Sequence, residues 1–297
     1  MTPRTLARRW SPGRLLIIDS GWISDSTLHS ILRHPKDSLL RGTNTRPGRQ
    51  RSRKSRSVAR VPLNPETAIY LKHFYPKNLW RFLISLFLPS RAQNSFHIHQ
   101  QLLASELPVP RPVASLDCRK GIFHESFLLV EEIPGTQPIR DFALEQSEFL
   151  EKNPEFREKL FTEVGHLVRR FHDHHFFHVD LSIKNILISF DSQHLDRTSL
   201  YLIDFDTCYS LTYLPDALFA PFRWTDLRRL MDSVRYGLSP LAKRNVLDAY
   251  FSKEPLASKK EANFLRFYHL THRSDDPVFQ PIPHREKDRT SSCADAT

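Results

Sequence analysis

The most restrictive feature of the sequence is a pair of short apolar segments with polar side chains at the ends that should meet. "NILISF" at 185–190 is preceded by Asp180 and begins with Asn185, and "LYLIDF" at 200–205 carries Asp204 near its end. The polar turn "DSQHLDRTS" joins them, so the two segments are predicted to form a hairpin. Such a hairpin brings Asp180, Asn185 and Asp204 into one neighbourhood.

These three side chains suit one kind of chemistry. Two carboxylates and an amide oxygen are ligands that magnesium prefers. Phosphoryl transfer also needs an acceptor that orients the attacking hydroxyl, a role that a carboxylate can fill. A single acid is more often a cap or turn residue. The ordered set H-x-D-L-x-x-x-N at 178–185, followed by I-D-F at 203–205, is far more specific than its parts.

The flanking sequence predicts a strand-rich first half and a helix-rich second half. Strand candidates are "RLLIID", "SVARVPL", "TAIYLKHF" and "SFLLVEE", and helical patterns cover 25–34 and 90–105. The pattern changes at the Ile-Pro-Gly break of 133–135, after which helices are predicted at 156–173 and across most of 222–270. We expect an α+β chain of two lobes, with one main helix in the first lobe and a cleft between the lobes.

The charge of the chain indicates which classes of partner it can bind, and its cysteine content indicates its redox environment. The formal charge of +10 favours anionic partners, and eight arginines or lysines lie in the acid-free stretch 41–60, predicted to be a loop or extended hairpin. A nucleic-acid binder would need a recognition motif beyond charge, so nucleic acid is not expected. Three scattered cysteines fit a reducing, cytoplasmic setting. "LWRFLISLFL" at 79–88 is too short to span a bilayer and is predicted to be a buried helix or to rest in a membrane interface.

The motifs together resemble those of the protein-kinase-like phosphotransferases. More closely, "FHDHHFFHVDLSIKNILI", "LYLIDFD", "LPVPRPVA", "VEEIPG", "YLKHF" and "FRWTDLRRLMDSVR" look like the lipopolysaccharide kinase family, which phosphorylates Kdo or heptose sugars of the inner core. The resemblance covers about residues 67–235. It implies a bilobal protein-kinase-like fold with an N-lobe at 1–134 and a mainly helical C-lobe at 135–273. The segment 274–297 has little apolar content and is predicted to be a disordered tail.

The resemblance also implies roles for individual residues. Lys72 matches the strand lysine that touches the α and β phosphates of ATP, and Asp180 matches the aspartate that accepts the proton of the sugar hydroxyl. Asn185 and Asp204 match the pair that binds magnesium. The backbone of the hinge at 130–133, in particular Glu132 and Ile133, would meet adenine. The implied setting is the cytoplasm, including the cytoplasmic face of the inner membrane, with ATP and an inner-core sugar as partners.

Two departures from the family pattern keep alternatives open. Ser95 stands where the family has a glutamate that pairs with the strand lysine, and His99 one turn later points the same way but is a poor substitute for an anion. Only Gly42 and Gly48 are available for a glycine-rich loop. A nucleotide-binding pseudokinase, or a kinase acting on another small-molecule or protein hydroxyl, is therefore the alternative function.

Two further features each have two interpretations. "HDHHFFH" at 172–178 suggests either zinc or, with better support, histidines near a helix end and a structural role for His178. Asp226 either holds the loop backbone from the following helix or is an acid at a helix N-terminus.

Overall fold

The computed structural model describes residues 5–11, 14–19, 26–44, 56–75, 89–120, 123–192, 194–234, 240–252 and 257–271. Segment 79–88, Gly48, the tail at 274–297 and the middle of the basic stretch lie outside the described residues. The strands are β1 (Thr5–Ser11), β2 (Arg14–Asp19), β3 (Thr43–Asn44), β4 (Arg56–Pro62), β5 (Ala68–Phe74), β6 (Pro112–Lys120), β7 (Phe123–Glu131), β8 (Thr136–Pro138), β9 (Phe176–Phe177), β10 (Ile186–Ser189), β11 (Ser199–Leu202) and β12 (Tyr209–Ser210). The helices are α1 (Ser26–Arg33), α2 (Pro35–Arg41), α3 (Arg91–Ala104), α4 (Ile139–Glu145), α5 (Ser147–Lys152), α6 (Pro154–Asp173), α7 (Asp216–Ser233), α8 (Pro240–Phe251) and α9 (Ala257–Thr271).

The first half of the chain is built on one large antiparallel sheet. Among the described residues, its seven strands lie in the order β1-β2-β6-β7-β5-β4-β3. The four strand candidates of the sequence appear as β2, β4, β5 and β7. The ends of the basic stretch pair as β3 and β4, as an extended hairpin would. The strands β1 and β6 were not predicted; β6 begins at Pro112 after a proline-rich segment, a position that tolerates proline because a first residue need not donate to the ladder.

Helices cover both faces of this sheet. Leu28, Ile31 and Leu32 of α1 are buried in an apolar cluster with strand residues such as Leu71 and Leu116. On the opposite face, the buried cluster consists of Ile17, Phe74, Ala92, Phe96, Leu128 and Val130, in which Ala92 and Phe96 come from α3. The helical patterns at 25–34 and 90–105 are confirmed as α1 and α3, whereas the short helix α2 was not predicted.

The second half holds the hairpin and most of the helices. Strands β8, β10 and β11 form a small antiparallel sheet in which Ile186 pairs with Leu202 and Ser189 with Ser199, so the predicted hairpin is confirmed. The amphipathic helix α6 provides much of the core. At Gly165 it packs so closely on α8 that an added Cβ would collide with the carbonyl oxygen of Val246 and the side chain of Ala249.

The predicted fold class is confirmed: a strand-rich part followed by a mainly helical part. The large sheet ends with Glu131, and the chain reaches the second half within a few residues at Thr136. None of the helices in the described part of the chain combines the length and the apolar character that crossing a membrane demands.

Candidate active site

The segment that carries Asp180 and Asn185 is a loop between β9 and β10. The side-chain amide of Asn185 donates to the carbonyl oxygen of Asp180 at 2.8 Å. Its backbone N–H donates to Ser182 O at 2.8 Å. Asn185 therefore belongs to a tight 3-10 turn (Ile183–Asn185) just before the strand, rather than opening the strand itself. Because its amide nitrogen is engaged, its side-chain oxygen is the end suited to a cation.

Asp226 anchors this loop from the middle of α7. Its carboxylate, which is fully buried, accepts the backbone N–H of His178 at 2.6 Å and that of Val179 at 2.9 Å. Val179 has φ 71°, a left-handed conformation that costs a β-branched residue energy unless its surroundings enforce it. Of the two interpretations of Asp226, the structure shows the first, since the residue lies within the helix and not at its N-terminus.

His178 ties the loop to the segment after β11. Its Nε2 donates to the carbonyl oxygen of Ile203 at 3.0 Å, and its ring lies 5.4 Å from that of Phe205. The Ile203 N–H in turn donates to Asn185 O at 3.0 Å. These bonds hold the Asp180 loop and the residues around Asp204 side by side, as the hairpin predicted.

Asp204 lies beyond β11 rather than at its end. It has φ 70°, and a 3-10 turn (Phe205–Thr207) follows it. Its carboxylate Oδ1 is 3.3 Å from Lys72 Nζ. Alternation along β5 places Lys72 on the same face as Phe74, which packs against α3, and so directs the lysine at this turn. The structure thus brings Lys72 and Asp204 together across the two halves.

Asp206 is a second carboxylate partner of Lys72, to which the resemblance assigned no role. Its Oδ1 accepts from Lys72 Nζ at 2.9 Å, and its side chain is only 2% exposed. The sequence contains a signal for this pairing, because Asp206 follows the I-D-F motif while the segment 91–104 contains no acid.

Ser95 and His99 lie where counting along the sequence placed them, on the buried side of α3. His99 Nδ1 contacts the carbonyl oxygen of Ser95 at 2.7 Å, and the His99 ring meets that of Phe205 edge-on at 4.9 Å. Burial lowers the pKa of His99 to about 3, so the imidazole is neutral near pH 7. His99 therefore packs against the Asp204 loop and carries no charge toward Lys72.

A polar cluster holds Glu132, one of the residues predicted to form the hinge. The Glu132 carboxylate accepts two hydrogen bonds from the Arg60 guanidinium, at 2.7 Å and 2.6 Å, and one from the Tyr70 hydroxyl at 3.2 Å. The Arg60 hydrogen bonds lower the pKa of Glu132. The Glu132 backbone N–H already donates to Ala68 O at 2.9 Å. This hydrogen bond occupies the backbone N–H of Glu132, one of the two residues predicted to contact adenine. It does not involve the backbone N–H of Ile133.

Arg60 and Tyr70 were missed as hinge partners. They face each other across β4 and β5, but their pairing with Glu132 spans 72 and 62 residues of sequence. Arg60 was counted in the basic stretch 41–60, whereas the structure shows its guanidinium bound to the Glu132 carboxylate.

The histidines of 172–178 point to different partners. His172 Nδ1 lies 2.8 Å from the Tyr250 hydroxyl, and His175 Nε2 lies 2.8 Å from Asp216 Oδ1. His178 engages Ile203 instead. Across the described ranges, no group of three or more His, Cys, Asp or Glu side chains is arranged to hold a metal ion.

Exposure separates Asp180 from its neighbours. Its side chain is 52% exposed, whereas those of Asp204, Asp206 and Lys72 are 18%, 2% and 12% exposed. Lys184 Nζ lies 3.1 Å from Asp180 Oδ2. The site therefore offers one accessible carboxylate beside the recessed side-chain oxygens of Asn185 and Asp204, whose chemistry fits a hard divalent cation.

The chain is similar to known proteins over most of this architecture. The family model described as the lipopolysaccharide kinase (Kdo/WaaP) family matches residues 45–268. A 3-deoxy-D-manno-octulosonic acid kinase of Haemophilus influenzae (strain 86-028NP) is 32% identical over 146 residues, which are 46% of this chain and 56% of that protein. One of Vibrio cholerae is 31% identical over 120 residues, which are 40% of this chain and 45% of that protein. The matched segment thus spans about half the length of these curated relatives.

A solved structure supports the same fold. The structure titled "WaaP in complex with acyl carrier protein" superposes with a TM-score of 0.56 at 19% identity, covering 80% of this chain and 90% of that one. At this identity the likeness supports the fold alone. The family model covers well over half of the sequence and includes Lys72, Asp180, Asn185 and Asp204. This chain belongs to the lipopolysaccharide kinase (Kdo/WaaP) family.

Proposed function

We propose that the protein is an ATP-dependent kinase that transfers the γ-phosphoryl group to a hydroxyl of a lipopolysaccharide inner-core sugar, Kdo or heptose. The observation that carries the proposal is Asp180, an exposed carboxylate on a loop whose backbone is fixed by the buried Asp226. The relatives named 3-deoxy-D-manno-octulosonic acid kinase favour Kdo as the acceptor.

In this proposal each site residue has one task. Asp180 accepts the proton of the sugar hydroxyl, and its accessible position leaves room for an acceptor. Lys72 contacts the α and β phosphates of ATP, and the hinge backbone at Glu132 and Ile133 meets adenine. Asn185 and Asp204 would hold Mg²⁺, which supplies neutralisation of phosphate charge when bound.

Lys184 contributes to the same site. Its ammonium group lies 3.1 Å from Asp180 Oδ2 on the same turn of chain. The ion pair lies at the surface of the site, since both side chains are partly exposed. It also restricts the Asp180 rotamer, since a charge-assisted hydrogen bond favours one orientation.

The two lobes proposed are residues 1–134 and 135–273, with the nucleotide between them. We place the protein in the cytoplasm, at the cytoplasmic face of the inner membrane when it meets its acceptor. The formal charge of +10 supports contact with an anionic lipid surface.

The test is transfer of phosphate from ATP to a Kdo-containing lipid A acceptor, read by mass spectrometry of the product. Asp180→Asn should abolish transfer while ATP still protects the protein against thermal unfolding. Asp191→Asn, on the exposed turn of the hairpin, is the matched control and should retain activity. Full activity of Asp180→Asn would refute the assignment of Asp180.

The second candidate is a nucleotide-binding pseudokinase, favoured by Ser95 in place of a glutamate. It predicts that ATP raises the melting temperature while no acceptor hydroxyl is phosphorylated. Replacing the acceptor with a heptose-containing core, another small alcohol or a protein substrate separates this outcome from a kinase of different specificity.

A further inference from the structure

We propose that Asp206 is the positioning residue for Lys72, supplying from the Asp204 loop the negative charge that the resembled kinases take from a helix glutamate. The inference rests on the proposed function in one respect, namely that Lys72 contacts the phosphates of ATP. It explains how a chain with Ser95 at the glutamate position can still fix its nucleotide-binding lysine.

Helix α3 cannot supply this charge. Its sequence "RAQNSFHIHQQLLA" contains no aspartate or glutamate. Ser95 is fully buried, and its hydroxyl has no hydrogen-bond partner within the described part of the chain. His99, one turn further, donates its Nδ1 proton to Ser95 O and presents a ring to Phe205. The helix therefore contacts the loop through apolar and neutral groups.

The loop that carries Asp204 and Asp206 supplies the negative charge instead. Asp206 follows Phe205, whose ring is fixed between His99 at 4.9 Å and His178 at 5.4 Å. This packing holds the 3-10 turn (Phe205–Thr207) against α3. Because the Asp206 side chain is 2% exposed, its carboxylate needs a cationic partner, and Lys72 Nζ lies 2.9 Å away.

Asp204 and Asp206 divide two tasks. Asp204 is farther from Lys72 Nζ, at 3.3 Å, and more exposed, at 18%. Since Asp206 is nearer and more buried, it can hold Lys72 while Asp204 serves as the proposed metal ligand. Lys72 is thereby coupled to the metal-binding loop directly, and a change in the position of α3 need not release it.

A stability cycle tests the pairing without reference to activity. Lys72→Met, Asp206→Asn and the double variant are unfolded in guanidinium chloride beside the wild-type protein. Each single change removes the ion pair of 2.9 Å between Lys72 Nζ and Asp206 Oδ1 and leaves a buried charge less well compensated, although Lys72 keeps Asp204 at 3.3 Å after Asp206→Asn. The double variant should therefore lose less stability than the sum of the two single losses. We expect the unfolding equilibrium constants to show a coupling of at least about tenfold, which corresponds to about 1.4 kcal/mol. A double variant whose losses simply add overturns the proposal.

Kinetics test the consequence. Asp206→Asn should raise the KM for ATP at least tenfold and leave the KM for the sugar acceptor unchanged, since only the phosphate-binding lysine is displaced. Adding Ser95→Glu to this variant should recover part of the loss by restoring a carboxylate from α3. If Asp206→Asn instead changes the Mg²⁺ concentration required and not the KM for ATP, Asp206 is a metal ligand and the proposal fails. If the wild-type protein transfers no phosphate, the proposed function fails while the stability cycle still decides the pairing.

Discussion

The carboxylate of Asp226 accepts the backbone N–H of His178 at 2.6 Å, from a helix that begins 38 residues after that histidine along the chain. The same carboxylate accepts the N–H of Val179, whose φ is 71°. One buried side chain thus stabilises the strained backbone immediately before Asp180. The accuracy with which Asp180 is placed depends on this contact.

Asp226→Asn should therefore reduce both stability and turnover. The amide keeps one acceptor oxygen but turns an N–H₂ group toward a backbone N–H, and each lost bond to a charged group costs about 1.5–3 kcal/mol. We expect a clear loss of unfolding free energy in guanidinium chloride and at least a tenfold fall in kcat. Asp216→Asn, at the exposed start of the same helix, is the control. Comparable losses in both variants would contradict the role of Asp226.

Arg60→Ala should weaken ATP binding while leaving the chemical step nearly unchanged. The change removes both guanidinium bonds to Glu132 and so loosens the hinge proposed to meet adenine. The expected result is a several-fold higher KM for ATP with kcat unchanged. Stability should fall by only about 0–1 kcal/mol, because the Arg60 side chain is partly exposed.

Lys36→Ala is the matched control for Arg60. Lys36 forms an ion pair of 2.8 Å with Glu125 that is also partly exposed, but neither residue belongs to the hinge. An equal rise in the KM for ATP in both variants would show that the hinge is not specifically involved.

The buried, neutral His99 should make the protein sensitive to acid. Its pKa is about 3 in the folded chain, below its ordinary value of about 6.5, so between these values the unfolded chain binds more protons. The stability that comes from keeping His99 neutral is fully present above about pH 6.5 and is lost as the pH falls toward 3. The free energy of unfolding falls by up to about 1.4 kcal/mol per pH unit in this range. His99→Leu should flatten this part of the curve of unfolding free energy against pH. The same slope in both proteins would contradict the prediction; His172, whose pKa burial also lowers, is present in both.

Helix α1 should be needed for stability although it precedes the segment matched by the family model. Leu32 is fully buried against the large sheet, and removal of such a side chain costs about 2–5 kcal/mol. Leu32→Ala should lower the melting temperature measured by circular dichroism. Leu40→Ala in α2 is the control, since Leu40 is 84% exposed. An unchanged melting temperature for Leu32→Ala would mean that α1 does not stabilise the sheet.

Much of the local structure could be read from the sequence. The helical periodicity of 156–173 and the apolar pair around the turn at 191–199 predicted α6 and the β10–β11 hairpin, because both patterns reflect contacts between near neighbours. The strands β1 and β6 were not predicted from the sequence. Prolines precede β6, and the polar sequence of β1 at the sheet edge lacks a clear alternation of apolar and polar residues. The extra helix α2 is too short for its periodicity to be distinctive.

The sequence alone determined the order and spacing of the polar motifs, and with them the family and the neighbourhood of Asp180, Asn185 and Asp204. It could not determine which carboxylate meets Lys72, because that depends on how segments 134 residues apart pack around Phe205. The pairing of Arg60 with Glu132 was likewise decided by the register of β4, β5 and β7. Spacing along a chain specifies local geometry, whereas the partner of a buried charge is set by tertiary packing.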